Sequence, residues 1–225
     1  MTREAGRVDV VAKGSRKSGS RLAAASEPLV RSRLQVASGR QRTFITQAQV
    51  QTSHPWIRSD YDRLQAALAV AEVFSAVAMQ DQPDVESFEL LEQTLDEFKQ
   101  GKPIVVACWS CCRLLAVQGL SPSWTRCAVC GVGADQNPAW FCAEAGGMVC
   151  REHAGESMFA RLVRVEALIA LDRLAAMSAP PANLRFAVDC LSALHLFGNH
   201  HAHRSLPAFG SLLESVKHDQ TSSPE

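Results

Sequence analysis

Apolar and polar residues alternate with a period of two over much of the first fifty positions. Beyond His54-Pro55-Trp56 the period becomes helical. The β-branched run from Arg7 to Lys13 predicts a strand, and Gly14-Ser-Arg-Lys-Ser-Gly-Ser20 predicts an exposed loop. A second strand fits Leu29 to Val36, with Val30, Ser32, Leu34 and Val36 on one face and Arg31, Arg33 and Gln35 on the other. After the Ser38-Gly39 turn, a third strand fits Thr43 to Val50, where Phe44, Thr46, Ala48 and Val50 share a face. Strands this closely spaced predict a small antiparallel barrel, with Phe44 packed in its core.

Past the boundary, Leu64, Ala67, Leu68, Ala71, Phe74 and Ala78 form one stripe, with Ser59 as its predicted cap. Asp84 is the predicted cap of a helix carrying Phe88, Leu91, Leu95 and Phe98, stopped by Gly101 and Pro103. A third helix over Val105 to Val117 buries Trp109, Cys112 and Leu115. Later helices fit roughly 155–177, 183–197 and 206–216, the first two separated by Pro180-Pro181. The pattern divides the chain into a β domain over 1–54 and a helical domain over 55–225.

Composition sharpens this division. The chain of 225 residues has no net charge, yet residues 1–55 hold ten Lys and Arg against three Asp and Glu, a net +7 that leaves −7 for the rest. A basic module beside an acidic one points to a polyanion partner for the first; the competing reading is ordinary surface chemistry. Lys13, Arg16, Lys17 and Arg21, spread among Gly and Ser, form a loop able to mould itself to phosphates, and Arg31 and Arg33 extend the basic surface. No apolar run reaches membrane-spanning length and no signal-peptide core is present, so the expected compartment is the cytoplasm, with no membrane partner.

All eight cysteines lie within 108–190. In a reducing compartment paired cysteines favour metal over disulfide. Cys127-Ala-Val-Cys130-Gly131 and Cys150-Arg-Glu-His153 give C-x2-C-x19-C-x2-H, a zinc-ribbon spacing in which two half-sites complete a tetrahedron. Trp140-Phe141-Cys142 and Met148-Val149 flank Glu144-Ala145-Gly146-Gly147, a predicted hairpin that returns the second half-site to the first, within an insertion over 124–155. Buried free thiols around a hairpin are the alternative. Cys142 reads as packing, as do Cys108, Cys111 and Cys112 in their apolar helical stretch. His195, His200, His201 and His203 straddle Gly198-Asn199 at a helix end and read as exposed imidazoles.

Four protein ligands leave no open position, so the zinc is expected to be structural rather than catalytic. The deaminase H-x-E and P-C-x-x-C pairing is absent. The Gly14–Ser20 loop lacks the lysine that a P-loop places after its second glycine, and no G-x-S-x-G elbow occurs. A non-catalytic nucleic-acid-binding protein is the leading reading. A zinc-ribbon module that binds RNA or protein, and an enzyme assembled from distant residues, are the alternatives.

Gly6-Arg7-Val-Asp-Val-Val-Ala-Lys-Gly-Ser-Arg-Lys-Ser-Gly-Ser-Arg-Leu22 resembles the N-terminal signature of the bacterial DNA repair protein RecO family. Cys127-Ala-Val-Cys-Gly131 with Gly146-Gly-Met-Val-Cys150 resembles its zinc motif. The resemblance implies an α+β chain: an OB-fold barrel, then a helical domain with an inserted zinc hairpin. It also implies binding of single- and double-stranded DNA, strand annealing, and loading of RecA together with RecR and single-stranded DNA-binding protein. The fourth zinc ligand, often cysteine in the family, is His153 here. In the family pattern a strand-containing segment precedes the Gly-Arg-Val strand. The expectation is therefore a barrel lacking its first strand, with Met1 not the natural beginning of the domain.

Overall fold

A computed structural model describes residues 1–17, 20–134, 136–155, 158–202 and 205–222. The first sheet contains β1 (Val10–Val11), β2 (Arg31–Ser38) and β3 (Thr43–Thr52), with α1 (Arg21–Ala25) packed on β3. Its order is β1-β3-β2, with β2 antiparallel and β1 parallel to β3. The described strands thus form an open mixed sheet rather than an antiparallel barrel. The strand expected over Arg7–Lys13 shrinks to two residues because Arg7 is tied elsewhere: its N–H donates to Met79 O at 3.1 Å and its carbonyl accepts from Asp81 N–H at 3.0 Å. Nor was α1 expected; the Ser20 hydroxyl accepts from Leu22 N–H at 3.2 Å and caps it.

Alternation along β2 holds from Arg31 to Gln35 and then fails, because the register slips between Gln35 and Val36. The slip leaves Thr46 of β3 without a β2 partner in the register, which shifts Ile45 onto the face of Ala48 and Val50 in place of Phe44. Ile45, opposite Val36, is the buried residue of β3, while Phe44 is half-buried and Val36 is exposed. The expected core role of Phe44 therefore passes to Ile45.

Most of the described remainder is helical, packed around a main core. A short turn, α2 (Pro55–Arg58), precedes α3 (Tyr61–Val77), α4 (Val85–Glu97) and α5 (Pro103–Val117). Asp60, not Ser59, caps α3 by accepting from Arg63 N–H at 3.0 Å, because Ser59 ends α2. Asp84 caps α4 as expected, accepting from Ser87 N–H at 3.0 Å. Pro103 opens α5 instead of merely closing α4, its fixed φ suiting a first helical position.

The sequence of α5 is apolar on every side, and ten of its fifteen residues are buried, so it is the central helix. Trp109 is fully enclosed and donates its Nε1–H to Met177 O at 2.9 Å. After a second small sheet, α7 (Val165–Ala176), α8 (Ala187–His201) and α9 (Pro207–Ser222) complete the body, α7 and α8 against α5, and α9 against α3. Ala66, Ala69 and Val70 let the helices approach α3 closely. No helix among the described residues is long and apolar enough to cross a membrane.

The second sheet consists of β4 (Ala139–Cys142), β5 (Gly147–Val149) and β6 (Arg161–Val163), in the order β5-β4-β6, with the one-turn helix α6 (Arg151–Ala154) after β5. The hairpin lies where expected. A third strand, β6, and the start of α7 at Val165 replace the beginning of the helix predicted over 155–177, because Arg161–Val163 pairs with the free edge of β4.

Candidate metal centre and nucleic-acid interface

Period-two alternation in the second sheet separates two interiors. Phe141 and Met148, directly opposite each other, join the main helical core, where Trp124 stacks on Phe141 at 5.7 Å between centroids. Their neighbours Cys142 and Val149 face the other way, into a small cluster with Cys127, Cys150, Ala154 and Ala160. One strand pair therefore fastens the metal lobe to the helical body. The turn between them depends on Gly147: a Cβ there would stand 2.4 Å from Ser123 O, and the space is filled by the Met148 N–H to Ser123 O hydrogen bond at 2.7 Å.

The first half-site is a tight knuckle. Gly131, at φ +77°, returns its N–H to Cys127 O at 2.8 Å, while Ala128 N–H reaches Met148 O on β5 at 2.8 Å. Cys150 sits at the N-cap of α6, so His153, three residues on, lies on the same side of the turn. The ligand atoms of Cys127, Cys130, Cys150 and His153 all lie within 4.8 Å of one another. Cys130 Sγ is 3.8 Å from Cys150 Sγ, and His153 Nδ1 is 3.1 Å from Cys150 Sγ and 3.8 Å from Cys127 Sγ. A tetrahedron with metal–sulfur bonds of about 2.3 Å has a sulfur–sulfur edge of about 3.8 Å, so the spacing fits one four-coordinate ion.

The electrostatics agree with the geometry. Burial pushes the Cys127 thiol up, but N–H groups of Cys130, Cys150 and Val129 outweigh it and bring the group down to about 6. The N–H of His153, helped by its ring, lowers Cys150. Cys130 is raised: the Val132 N–H favours its thiolate, but burial and the neighbouring thiols prevail. These four residues can hold a metal ion. By contrast burial, reinforced by neighbouring thiols, raises Cys108 and Cys112 well above the ordinary range, and burial pushes Cys111 up to about 12; these are core thiols. His195 stacks on Phe209 at 5.8 Å, and His201 Nε2 is 2.9 Å from Ala143 O; His203 lies outside the described residues.

The candidate cations are dispersed. Lys13, Arg16 and Lys17 are exposed in successive turns after β1, where Lys17 N–H donates to Gly14 O at 3.1 Å. Arg21 opens α1, and its side chain lies outside the described residues. Arg31 and Arg33 share a face of β2 as expected, but Arg31 Nε is 2.7 Å from Glu92 Oε1 of α4, whereas Arg33 is exposed. Arg40 and Arg42, exposed at the β2–β3 turn, belong to the basic count of the sequence but to no motif in it.

Family models match two stretches of the chain. Residues 1–54 match the model for the recombination protein O N terminal, and residues 58–207 that for its C terminal. The DNA repair protein RecO of Nocardioides sp. is 38% identical over 157 residues, covering 67% of this chain and 64% of that protein. That of Rubrobacter xylanophilus is 35% identical over 154 residues, covering 67% and 61%, and that of Desulforamulus reducens 30% identical over 149, covering 66% and 58%. The aligned chain thus spans somewhat less than two thirds of the length of these relatives. On both matches together, the chain belongs to the RecO family of recombination proteins.

Proposed function

We propose that this protein is a non-catalytic mediator of DNA repair and homologous recombination, acting in the cytoplasm beside the nucleoid. In this reading the first sheet is part of an OB-type nucleic-acid-binding domain over 1–54. Its cations Lys13, Arg16, Lys17, Arg21 and Arg33, with Arg31 as a further contact, track single- or double-stranded DNA without reading sequence. It anneals complementary strands and assists RecA loading with RecR and single-stranded DNA-binding protein. The observation carrying this reading is the family match joined to the segregation of charge, +7 in residues 1–55 against −7 beyond.

Cys127, Cys130, Cys150 and His153 then hold one Zn2+ in a structural role. When bound, the ion supplies a cross-link between the knuckle and α6. The residues themselves orient the lobe: the knuckle fixes two sulfurs, and α6 carries the other sulfur and the imidazole on one side of its turn.

The test is annealing of complementary oligonucleotides without nucleotide, across a salt series. Annealing that weakens with salt is expected. Changing Arg16, Lys17 and Arg21 together to alanine should flatten the salt slope of binding by about 2–3, one unit or a little less per lost phosphate contact. Preference for RNA, or binding to protein alone, would favour a zinc-ribbon interaction module instead.

A further inference from the structure

Two arginines of the basic half are occupied by carboxylates of the acidic half. Arg3 pairs with Glu89, and Arg31 Nε lies 2.7 Å from Glu92 Oε1. The two acids are three residues apart on α4 and therefore neighbours on its surface, where exposed Asp96 and Glu86 extend the negative field. Arg3 and Arg31 remain about half exposed, at 53% and 47% of their side chains, so a phosphate can reach either guanidinium without unfolding anything. Ion pairs at this level of exposure are weak and yield to salt.

The pairs are not equivalent. The Glu89 side chain is 52% exposed and rehydrates freely on losing its partner, whereas that of Glu92 is 25% exposed and resists being left unpaired. Opening should proceed in that order.

We propose that Glu89 and Glu92 act as an internal competitor for the polyanion. In the free protein α4 occupies Arg3 and Arg31, and a phosphate backbone gains these two cations only by displacing the carboxylates. Lys13, Arg16, Lys17 and Arg33 make first contact, and release of the α4 pairs follows as a second, costlier stage. The mechanism rests on the nucleic-acid reading above and adds a threshold to it.

The experiment measures binding of labelled oligothymidine by fluorescence anisotropy over a salt series, for wild type, E89Q/E92Q and E86Q/D96N. Both double variants remove two negative charges from the same helix, but only the first frees arginines. E89Q/E92Q should bind about three- to tenfold tighter at low salt. Its salt slope should steepen by about 1.4, since the wild-type complex on a short strand stops at the first stage and each arginine freed adds a single-strand phosphate contact of about 0.7. E86Q/D96N should gain less than half as much affinity and keep the wild-type slope. The single E89Q, altering an exposed side chain, should give about half the change in slope and covers the case of a misfolded double variant. Equal gains in the two double variants, or no gain in the first, overturn the proposal. If wild type binds and E89Q/E92Q binds no tighter, the competitor alone falls; if neither binds, the nucleic-acid reading falls and takes the competitor with it.

Discussion

Between Val30 and Ser53 the chain buries one side chain, Ile45, whereas between Pro103 and Val117 it buries ten. Both stretches are largely regular secondary structure, so regularity is not what separates them. The difference is cover. Helix α5 is surrounded by α3, α4, α7 and α8, while the first sheet leaves Val36 and Val50 in solvent. Apolar area contributes about 25 cal/mol per Å² only where water is removed from it, so most of the hydrophobic stabilisation belongs to the body.

What ties the sheet to that body is mainly polar. Arg58 of α2 pairs with Glu27 and donates to Pro28 O at 2.8 Å, and buried His54 holds Leu29 O with its Nδ1 at 2.7 Å. A scaffold with one well-packed region and one lightly attached region suits a surface that must adapt to a flexible strand.

The contrast is broken most directly at the two extremes. Trp109→Ala should cost about 3–5 kcal/mol in chemical denaturation, since it empties the centre of the body. Val36→Ala, at an exposed position, should cost under about 0.5 kcal/mol. Comparable losses in the two variants would show that the sheet has cover of its own.

A smaller effect belongs to the metal lobe, which shares Phe141 and Met148 with the body. On the zinc reading proposed above, Cys150→Ser should lose the metal, read by elemental analysis, and lower stability by about 2–3 kcal/mol, the linkage expected at a hundredfold excess over the dissociation constant. A variant that keeps both zinc and stability would remove the ion from the structural account.

Next in size is the attachment itself. Arg58→Ala should cost about 1 kcal/mol. Hydrogen exchange should locate that loss, with faster amides over 28–52 and unchanged protection in α5. Faster exchange throughout α5 would mean that the two regions open as one unit.

The smallest effect concerns acid. Burial, aided by Lys217, holds the His195 imidazole below its usual 6.5, against opposing pulls from Glu214 and Glu72. Because this base binds its proton more readily when unfolded, its contribution is complete above 6.5 and is lost as pH falls through the lower folded value. His195→Gln should therefore flatten the acid side of the body's stability profile slightly. A steeper acid side in the variant would reverse the sign.

Features encoded within a few residues were legible beforehand. The two-residue gaps of Cys127–Cys130 and Cys150–His153, the Gly146-Gly147 turn and the Asp84 cap all act locally, and each appears where its spacing predicts. Features needing a distant partner were not. Three residues, Arg161–Val163, carry too little pattern to announce a strand, and only the free edge of β4 makes them one. The slip at Gln35/Val36 exchanges Phe44 for Ile45 without any glycine or proline to mark it. Glu92 lies far from Arg31 in the chain, so the occupation of that arginine has no signature in either segment.

The seating of α9 on α3 has a consequence for synthesis on the ribosome. Gln65 reaches Ser211 O at 3.2 Å across 146 residues, and Phe209 N–H reaches Glu72 Oε2 at 3.0 Å across 137. Helix α3 emerges well before Phe209, Leu212 and Leu213, so the part of its surface that α9 covers stays open until those residues follow. Contacts of such sequence separation close late and slowly. A chain halted before Leu206 would thus hold α3 against α5 yet leave it open where α9 sits, a form of nascent chain that chaperones and proteases recognise.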